Sequence, residues 1–190
     1  MKPAKTRQIL IAPERWEEMP WGSYFYDALN YHLQPYLNKL YGTHLLKIGQ
    51  LSSAIDTRSC AISHQVDVSP SGTVSGVVGE YGRLPFLSKS VDACLLAHTL
   101  SWSQDPHQVL READRVLIDD GWIILSGFNP YSLLGIGTLA PGLHPHTPRY
   151  GLMLSQGRLV ARLGLRTSQV TRRSPSQVLP LAHHGGPPPT

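Results

Sequence analysis

Histidines are the side chains of this sequence best suited to chemistry near neutral pH, because an imidazole gains or loses a proton there. His98 directly follows the apolar run from Val91 to Ala97, so it stands where a buried strand is expected to end. Four other histidines fall in loop-like sequence without a cysteine or carboxylate beside them: His144, His146, His183 and His184. Because metal sites are built from such companions, no metal site is predicted.

The elements that would position His98 are the clearest part of the chain. Asp105 and Pro106 are typical of a helix N-cap and first turn. The apolar residues that follow have the spacing of one helix face; they are Val109, Leu110, Ala113, Val116 and Leu117. This helix lies between two apolar runs, residues 91–97 and 122–125. A strand, a helix and a strand of this kind predict a βαβ unit in a parallel sheet buried on both faces.

Further strands are predicted at residues 44–49, 60–68 and 74–78, where short apolar runs are bounded by turn residues. The link between the second and third of them is too short for a full crossover helix. Two alternatives therefore stay open: an antiparallel pair, or a parallel pair in which the helix is reduced to a turn. Later in the chain, a helix at 152–163 and a strand at 165–171 are expected.

Residues 13–40 are predicted to be helical, since Trp21, Phe25, Leu29 and Leu33 fall on one face. Pro35 is expected to kink or split this region. We therefore predict three parts: an N-terminal helical region at 1–43, an α/β domain at 44–171, and a disordered tail rich in proline, glycine and histidine at 172–190.

Composition predicts one globular domain, with 41% hydrophobic and 16% charged residues. Two cysteines make no disulfide framework, and neither a signal peptide nor a run of about 20 apolar residues is present. A cytoplasmic protein is the expectation. Residues 121–190 carry six arginines and no acidic residue, which could attract an anionic partner. A solvated basic surface is favoured, because no nucleic-acid motif accompanies the arginines.

The stretch from residue 79 to residue 128 resembles the class I S-adenosylmethionine-dependent methyltransferases. It reads Gly-Glu-Tyr-Gly-Arg-Leu-Pro-Phe from Gly79, then Ser-Val-Asp from Ser90, then Asp105-Pro106, Leu-Arg-Glu-Ala from Leu110, and Arg-Val-Leu from Arg115. It is most similar to the branch that includes quinone-ring methyltransferases and bacterial relatives. The resemblance implies a Rossmann-like, doubly wound, mostly parallel α/β sheet with the cofactor above the carboxyl ends of the first strands.

The resemblance also implies roles for individual residues. Gly49 would begin the cofactor loop, and Asp67 would hydrogen-bond the ribose hydroxyls of S-adenosylmethionine. Glu80, followed by Tyr81, would read the adenine amino group. Ala97 and His98 would face the methionine moiety and the acceptor, with His98 as a general base if the acceptor is a hydroxyl or an acidic carbon. Because the donor methyl group is already activated, alignment of the acceptor is the main requirement.

The chain departs from the family pattern in two places. The cofactor loop keeps only Gly49, has Lys47 where an acid often stands, and is expected to put the side chains of Gln50 and Leu51 into cofactor space. After residue 171, only Val178-Leu179 could form the last strand, so the sheet is expected to end early, or the chain to be a shortened version of a longer relative.

Three functions follow from this comparison. The first is methyl transfer from S-adenosylmethionine to a small-molecule acceptor. The second is a methyltransferase-fold binding or scaffold protein without catalysis, and the third is a nucleic-acid methyltransferase. The third is disfavoured, because Asn129-Pro130-Tyr131 matches an amino-methylation motif only in part and follows the fifth predicted strand instead of the fourth. Oligomeric state is not indicated by the sequence.

Overall fold

The computed structural model describes residues 11–19, 22–71 and 76–127. A 3₁₀ helix, Trp16–Glu18, is followed by helix α1, Gly22–Leu37. The rest of the described chain forms five strands and three helices: β1 His44–Ile48, α2 Gln50–Ser53, β2 His64–Ser69, β3 Val77–Val78, β4 Val91–Ala97, α3 Thr99–Trp102, α4 Pro106–Val116 and β5 Leu117–Ser126.

The five strands form one parallel sheet in the order β3-β2-β1-β4-β5. The order reverses beside β1, which is the arrangement of a doubly wound fold and places a crevice at the carboxyl ends of β1 and β4. The predicted fold class is confirmed. The antiparallel alternative for the second and third strands is wrong, since Val68 pairs with Val77 in a parallel register.

Both faces of the sheet are buried, as the near-continuous apolar character of the strands predicts. Along β1, Leu46 and Ile48 pack into a cluster with α4, whereas Leu45 faces a second cluster with α1. Leu110, the centre of the α4 stripe, is fully buried. Burial of such a side chain stabilises the fold by about 1.5–3 kcal/mol. Asp105 caps α4 by accepting from the Gln108 N–H at 3.1 Å, as predicted.

Of the two alternatives expected at Pro35, a kink and a split, the structure contradicts the split. Helix α1 is not split there but continues to Leu37. Proline removes the backbone hydrogen bond to the carbonyl of Tyr31. Both residues lie on the exposed side of the helix, where water can satisfy that carbonyl. The discontinuity instead lies earlier, between the Trp16–Glu18 turn and α1.

The Leu-Pro-Phe segment is held against α4 by two charged side chains. Arg115 donates to the carbonyls of Leu84 at 3.0 Å and Phe86 at 2.9 Å, and makes a bidentate pair with Glu112 at 3.0 and 2.9 Å. Glu112 also accepts from the Leu84 N–H at 3.0 Å. These contacts fix the crossing between β3 and β4. The hydrogen bond from Arg115 is the main reason that the pKa of Glu112 lies below its usual value.

Several expectations fall beyond the described residues. These are the helix at 152–163, the strand at 165–171, the tail at 172–190 and the fate of the last strand.

Replacing Arg115 with methionine is expected to lower the free energy of unfolding by about 1–3 kcal/mol, because two backbone carbonyls lose a charged donor. Since the pKa of Glu112 is lowered, its contribution is present above pH 4.5 and is lost as the pH falls through its folded value. Chemical denaturation at pH 7 and at pH 3.5 measures the free energy of unfolding of the wild-type chain and of the Arg115→Met variant. Arg58→Met, which breaks an exposed pair with Asp56, is the matched control. If Arg115→Met and Arg58→Met lose the same free energy of unfolding at pH 7, the role of Arg115 in holding the Leu-Pro-Phe segment is contradicted.

Candidate functional site

The crevice at the carboxyl ends of the strands is built around Gly49. This residue has φ 102° and links β1 directly to α2. A Cβ atom at this position would lie 2.7 Å from Thr99 Oγ1, so both the backbone angle and the available space require glycine. The Gly49 N–H donates to the Val68 carbonyl at 2.9 Å, which closes the loop against the end of β2.

Buried hydroxyl groups fix the same loop to β4. The Ile48 carbonyl accepts from Ser52 Oγ at 2.6 Å and from Thr99 Oγ1 at 2.5 Å. Ser52 Oγ in turn accepts from the Ala97 N–H at 2.7 Å. The hydroxyl of Ser52 thus joins the last residue of β1 to the last residue of β4. The sequence analysis missed this role, although the two serines that closely follow the lone glycine could have indicated it.

Leu51 does not occupy cofactor space, contrary to expectation. Its side chain is 4% exposed and packs into the core cluster on the α1 face. The reason is that α2 begins immediately after Gly49, which turns Leu51 toward the protein interior. Gln50 instead reaches the rim of the crevice, where its amide hydrogen-bonds the Ser71 hydroxyl.

Asp67 lies on β2 directly opposite Lys47 on β1. The Lys47 ammonium is 3.1 Å from Asp67 Oδ1, and their side chains are 11% and 18% exposed. Lys47 also donates to the Ser53 carbonyl at 3.4 Å. The residue that replaces the usual acid of the family is therefore an ion-pair partner of the carboxylate proposed for the ribose.

Tyr81 bridges the Gly49 loop and the end of β2. Its phenol oxygen hydrogen-bonds the Ser69 side chain and the Gln50 backbone, and burial raises the pKa of Tyr81 above its usual value. Glu80, one residue earlier, is exposed, and its carbonyl closes a tight turn by accepting from the Arg83 N–H at 3.0 Å.

His98 follows β4 in a left-handed conformation, with φ 57° and ψ 4°, and is 3% exposed. Trp16 packs edge-to-face on its ring, with 5.4 Å between centroids, and donates Nε1–H to the Leu51 carbonyl at 3.1 Å. Burial lowers the pKa of His98 from 6.5 to about 3. The imidazole is therefore neutral at physiological pH and is a weak base in this arrangement.

Gly49, Asp67, Tyr81 and Ala97, which were singled out from the sequence, are joined to the same loop by the contacts above. Glu80 follows the last residue of β3 by two positions. Trp16 was not anticipated in the sequence analysis, because 82 residues separate it from His98. Among the described residues, no group of three or more histidine, cysteine, aspartate or glutamate side chains could hold a metal ion. No helix in that part of the chain is long and apolar enough to cross a membrane.

Sequence comparison gives a consistent result. The family described as a methyltransferase domain matches residues 44–125. The Escherichia coli (strain K12) protein "Uncharacterized protein YafS" is 49% identical over 186 residues, which cover 98% of this chain and 78% of that protein. Malonyl-[acyl-carrier protein] O-methyltransferase 1 of Coxiella burnetii is 32% identical over 87 residues, which cover 46% of this chain and 31% of that protein.

Solved structures share the fold. A SAM-dependent methyltransferase from Archaeoglobus fulgidus has a TM-score of 0.55 at 16% identity, covering 73% of this chain and 68% of that one. A SAM-dependent methyltransferase from Thermotoga maritima has a TM-score of 0.52 at 18% identity, covering 76% and 81%. The doubly wound sheet and its Gly49 crevice define a protein of the class I methyltransferase fold. By sequence, residues 44–125 belong to the family described as a methyltransferase domain, and the chain belongs to one family with the YafS protein.

Replacing Ser52 with alanine is expected to lower the free energy of unfolding by about 1–3 kcal/mol, because the Ala97 N–H loses its buried acceptor. Ser53→Ala is the matched control, since its hydroxyl makes only a 3.3 Å contact with the Gly49 carbonyl at a half-buried position. Denaturant titration of both variants measures the difference. A Ser52→Ala variant as stable as Ser53→Ala would contradict the proposed coupling of β1 to β4.

The buried His98 predicts a pH dependence of stability. Because its pKa is about 3 when folded and 6.5 ordinarily, the unfolded chain binds the extra proton between these values. The free energy of unfolding therefore falls as the pH drops from 6.5 toward 3. His98→Asn, which tolerates a left-handed backbone, should reduce this slope by up to about 1.4 kcal/mol per pH unit. Equal slopes for the two proteins between pH 6.5 and 4 would contradict the burial of a neutral imidazole.

Proposed function

We propose that this chain binds S-adenosylmethionine over the Gly49 loop and transfers its methyl group to a small-molecule acceptor. The observation that carries the proposal is the positive-φ Gly49 at the reversal of strand order, with Asp67, Tyr81 and Ala97 tied to it. This is the position in a doubly wound sheet where ligands bind. The chain's membership of the methyltransferase family supports the choice of cofactor.

The residues present suit this cofactor. A carboxylate can accept hydrogen bonds from both hydroxyls of a ribose, and the Asp67 side chain is 18% exposed at the carboxyl edge. The exposed carboxylate of Glu80 would accept from the adenine amino group. Tyr81 contacts the Ser69 side chain and the Gln50 backbone, where its ring would border the nucleoside.

When bound, S-adenosylmethionine would supply a methyl group already activated by its sulfonium. The protein's own contribution is then to align the acceptor and to exclude water. Ala97 and His98, fixed to the loop through Ser52, form the acceptor side. Because His98 is a weak base under Trp16, we propose alignment as the main source of catalysis. The general-base role of His98 would require the acceptor to displace Trp16 from its ring.

The surroundings of His98 support a small molecule as the methyl acceptor. His98 is covered by Trp16, and Trp102 belongs to the same core cluster, so the surroundings are aromatic and apolar. The name of the Coxiella burnetii relative gives malonyl-[acyl-carrier protein], and not a nucleic acid, as the acceptor of that protein. A nucleic-acid acceptor rests on the arginines of residues 121–190, all of which lie outside the described residues. A cytoplasmic location remains our expectation.

One observation favours a second candidate, a methyltransferase-fold binding protein without catalysis. Lys47 already engages the carboxylate proposed for the ribose. This alternative predicts a folded protein that does not bind the cofactor.

Calorimetric titration of the 190-residue chain with S-adenosylmethionine tests the proposal. Micromolar binding is expected, and Asp67→Asn and Glu80→Gln should each weaken it about tenfold or more, because each removes an ionised acceptor. Asp119→Asn is the matched control, since that acid forms an exposed pair with Lys89 at the start of β5. A folded wild-type protein that shows no binding at millimolar ligand would favour the binding-protein alternative.

A further inference from the structure

Lys47 is a charged side chain in a position that normally costs free energy. The residue is 8% exposed and lies within β1, two residues before Gly49. An ammonium group buried to this extent must be paired. It forms an ion pair with Asp67 at 3.1 Å, and it donates a hydrogen bond to the Ser53 carbonyl at 3.4 Å.

The pair leaves the loop end of the crevice without net charge. Asp67 alone would give this edge a negative charge between β1 and β2. Lys47 cancels that charge at a distance of 3.1 Å. Both side chains are less than one-fifth exposed, so water screens their fields less than it would at the surface.

This neutrality bears on the two forms of the cofactor. S-adenosylmethionine carries a sulfonium cation. In transfer, the bond from sulfur to methyl breaks, the electron pair stays on sulfur, and the acceptor gains the methyl group. The product, S-adenosylhomocysteine, is therefore a neutral thioether. The two molecules share the same ribose, adenine and amino-acid groups, so a difference in their affinities mainly reports the charge of the crevice.

We propose that Lys47 is a specificity-determining residue, which weakens the preference of the crevice for the cationic methyl donor over the neutral thioether product. The inference rests on the cofactor binding proposed above. Lys47 acts through the charge of Asp67 and through its own field, and it is a positioning residue rather than a catalytic one.

A merely structural role for Lys47 makes a different prediction. Loss of packing or of loop geometry would weaken the binding of both ligands by the same factor, because the groups that they share make the same contacts. The ratio of the two dissociation constants would then stay constant. A charge effect changes this ratio, and the change shrinks as salt concentration rises.

The experiment measures both dissociation constants calorimetrically at low salt for the wild-type chain and four variants. Lys47→Met removes the charge and keeps an unbranched side chain, whereas Lys47→Arg keeps the charge. Lys47→Met combined with Asp67→Asn restores neutrality without the ion pair. Lys89→Met is the control, because Lys89 pairs with Asp119 at 2.7 Å near the start of β5, away from the crevice.

In Lys47→Met, the ratio is expected to shift about three- to tenfold in favour of S-adenosylmethionine, the size expected for two charges roughly 10 Å apart near a protein surface. Lys47→Arg, Lys89→Met and the double variant should keep the wild-type ratio.

The inference is overturned if Lys47→Met keeps that ratio, or if the double variant keeps the ratio of Lys47→Met. Were the wild-type chain to bind neither ligand, the proposed function would fail first and this inference with it. If Lys47→Met does not fold, the double variant and Lys47→Arg still test the inference. A ratio of the two dissociation constants that differs from the wild-type ratio in either of them would overturn it.

Discussion

The Ile48 carbonyl accepts two side-chain hydroxyl groups, and the geometry of the crevice depends on that contact. Ser52 and Thr99 come from segments on opposite sides of the strand-order reversal, and both donate to this one oxygen. Ser52 then satisfies the Ala97 N–H, so the ends of β1 and β4 cannot move independently. Buried polar groups of this kind are costly unless every one is satisfied, which makes the arrangement specific as well as stabilising.

This contact explains how a loop with one glycine can keep the family's shape. Gly49 supplies the positive φ and the room for Thr99, and the hydroxyls hold the turn that follows. Leu51 turns into the core instead of the crevice. The crevice therefore stays lined by the backbone of the loop, although the glycine-rich pattern of the family is mostly absent.

Charge and burial set the chemical character of the site. On one side, Lys47 and Asp67 form an ion pair that is largely withdrawn from water. On the other, His98 is neutral under Trp16, because burial lowers the pKa of its ring. The ion pair and the imidazole therefore add no net charge to the site, and the surroundings of His98 are aromatic. Such surroundings suit the alignment of a reactive cofactor with an acceptor more than the transfer of protons by side chains.

The sequence by itself determined the strands, helix α4 and the family, because periodicity, capping residues and the Leu-Pro-Phe motif are local properties of neighbouring residues. It also indicated Gly49 and Asp67 as candidate site residues. Only the tertiary structure decided that Lys47 neutralises Asp67, that Ser52 joins β1 to β4, and that Trp16 covers His98. Each of these contacts joins segments separated by 20 or more residues. They depend on strand register and on the side of the sheet to which each element packs, which no local pattern specifies.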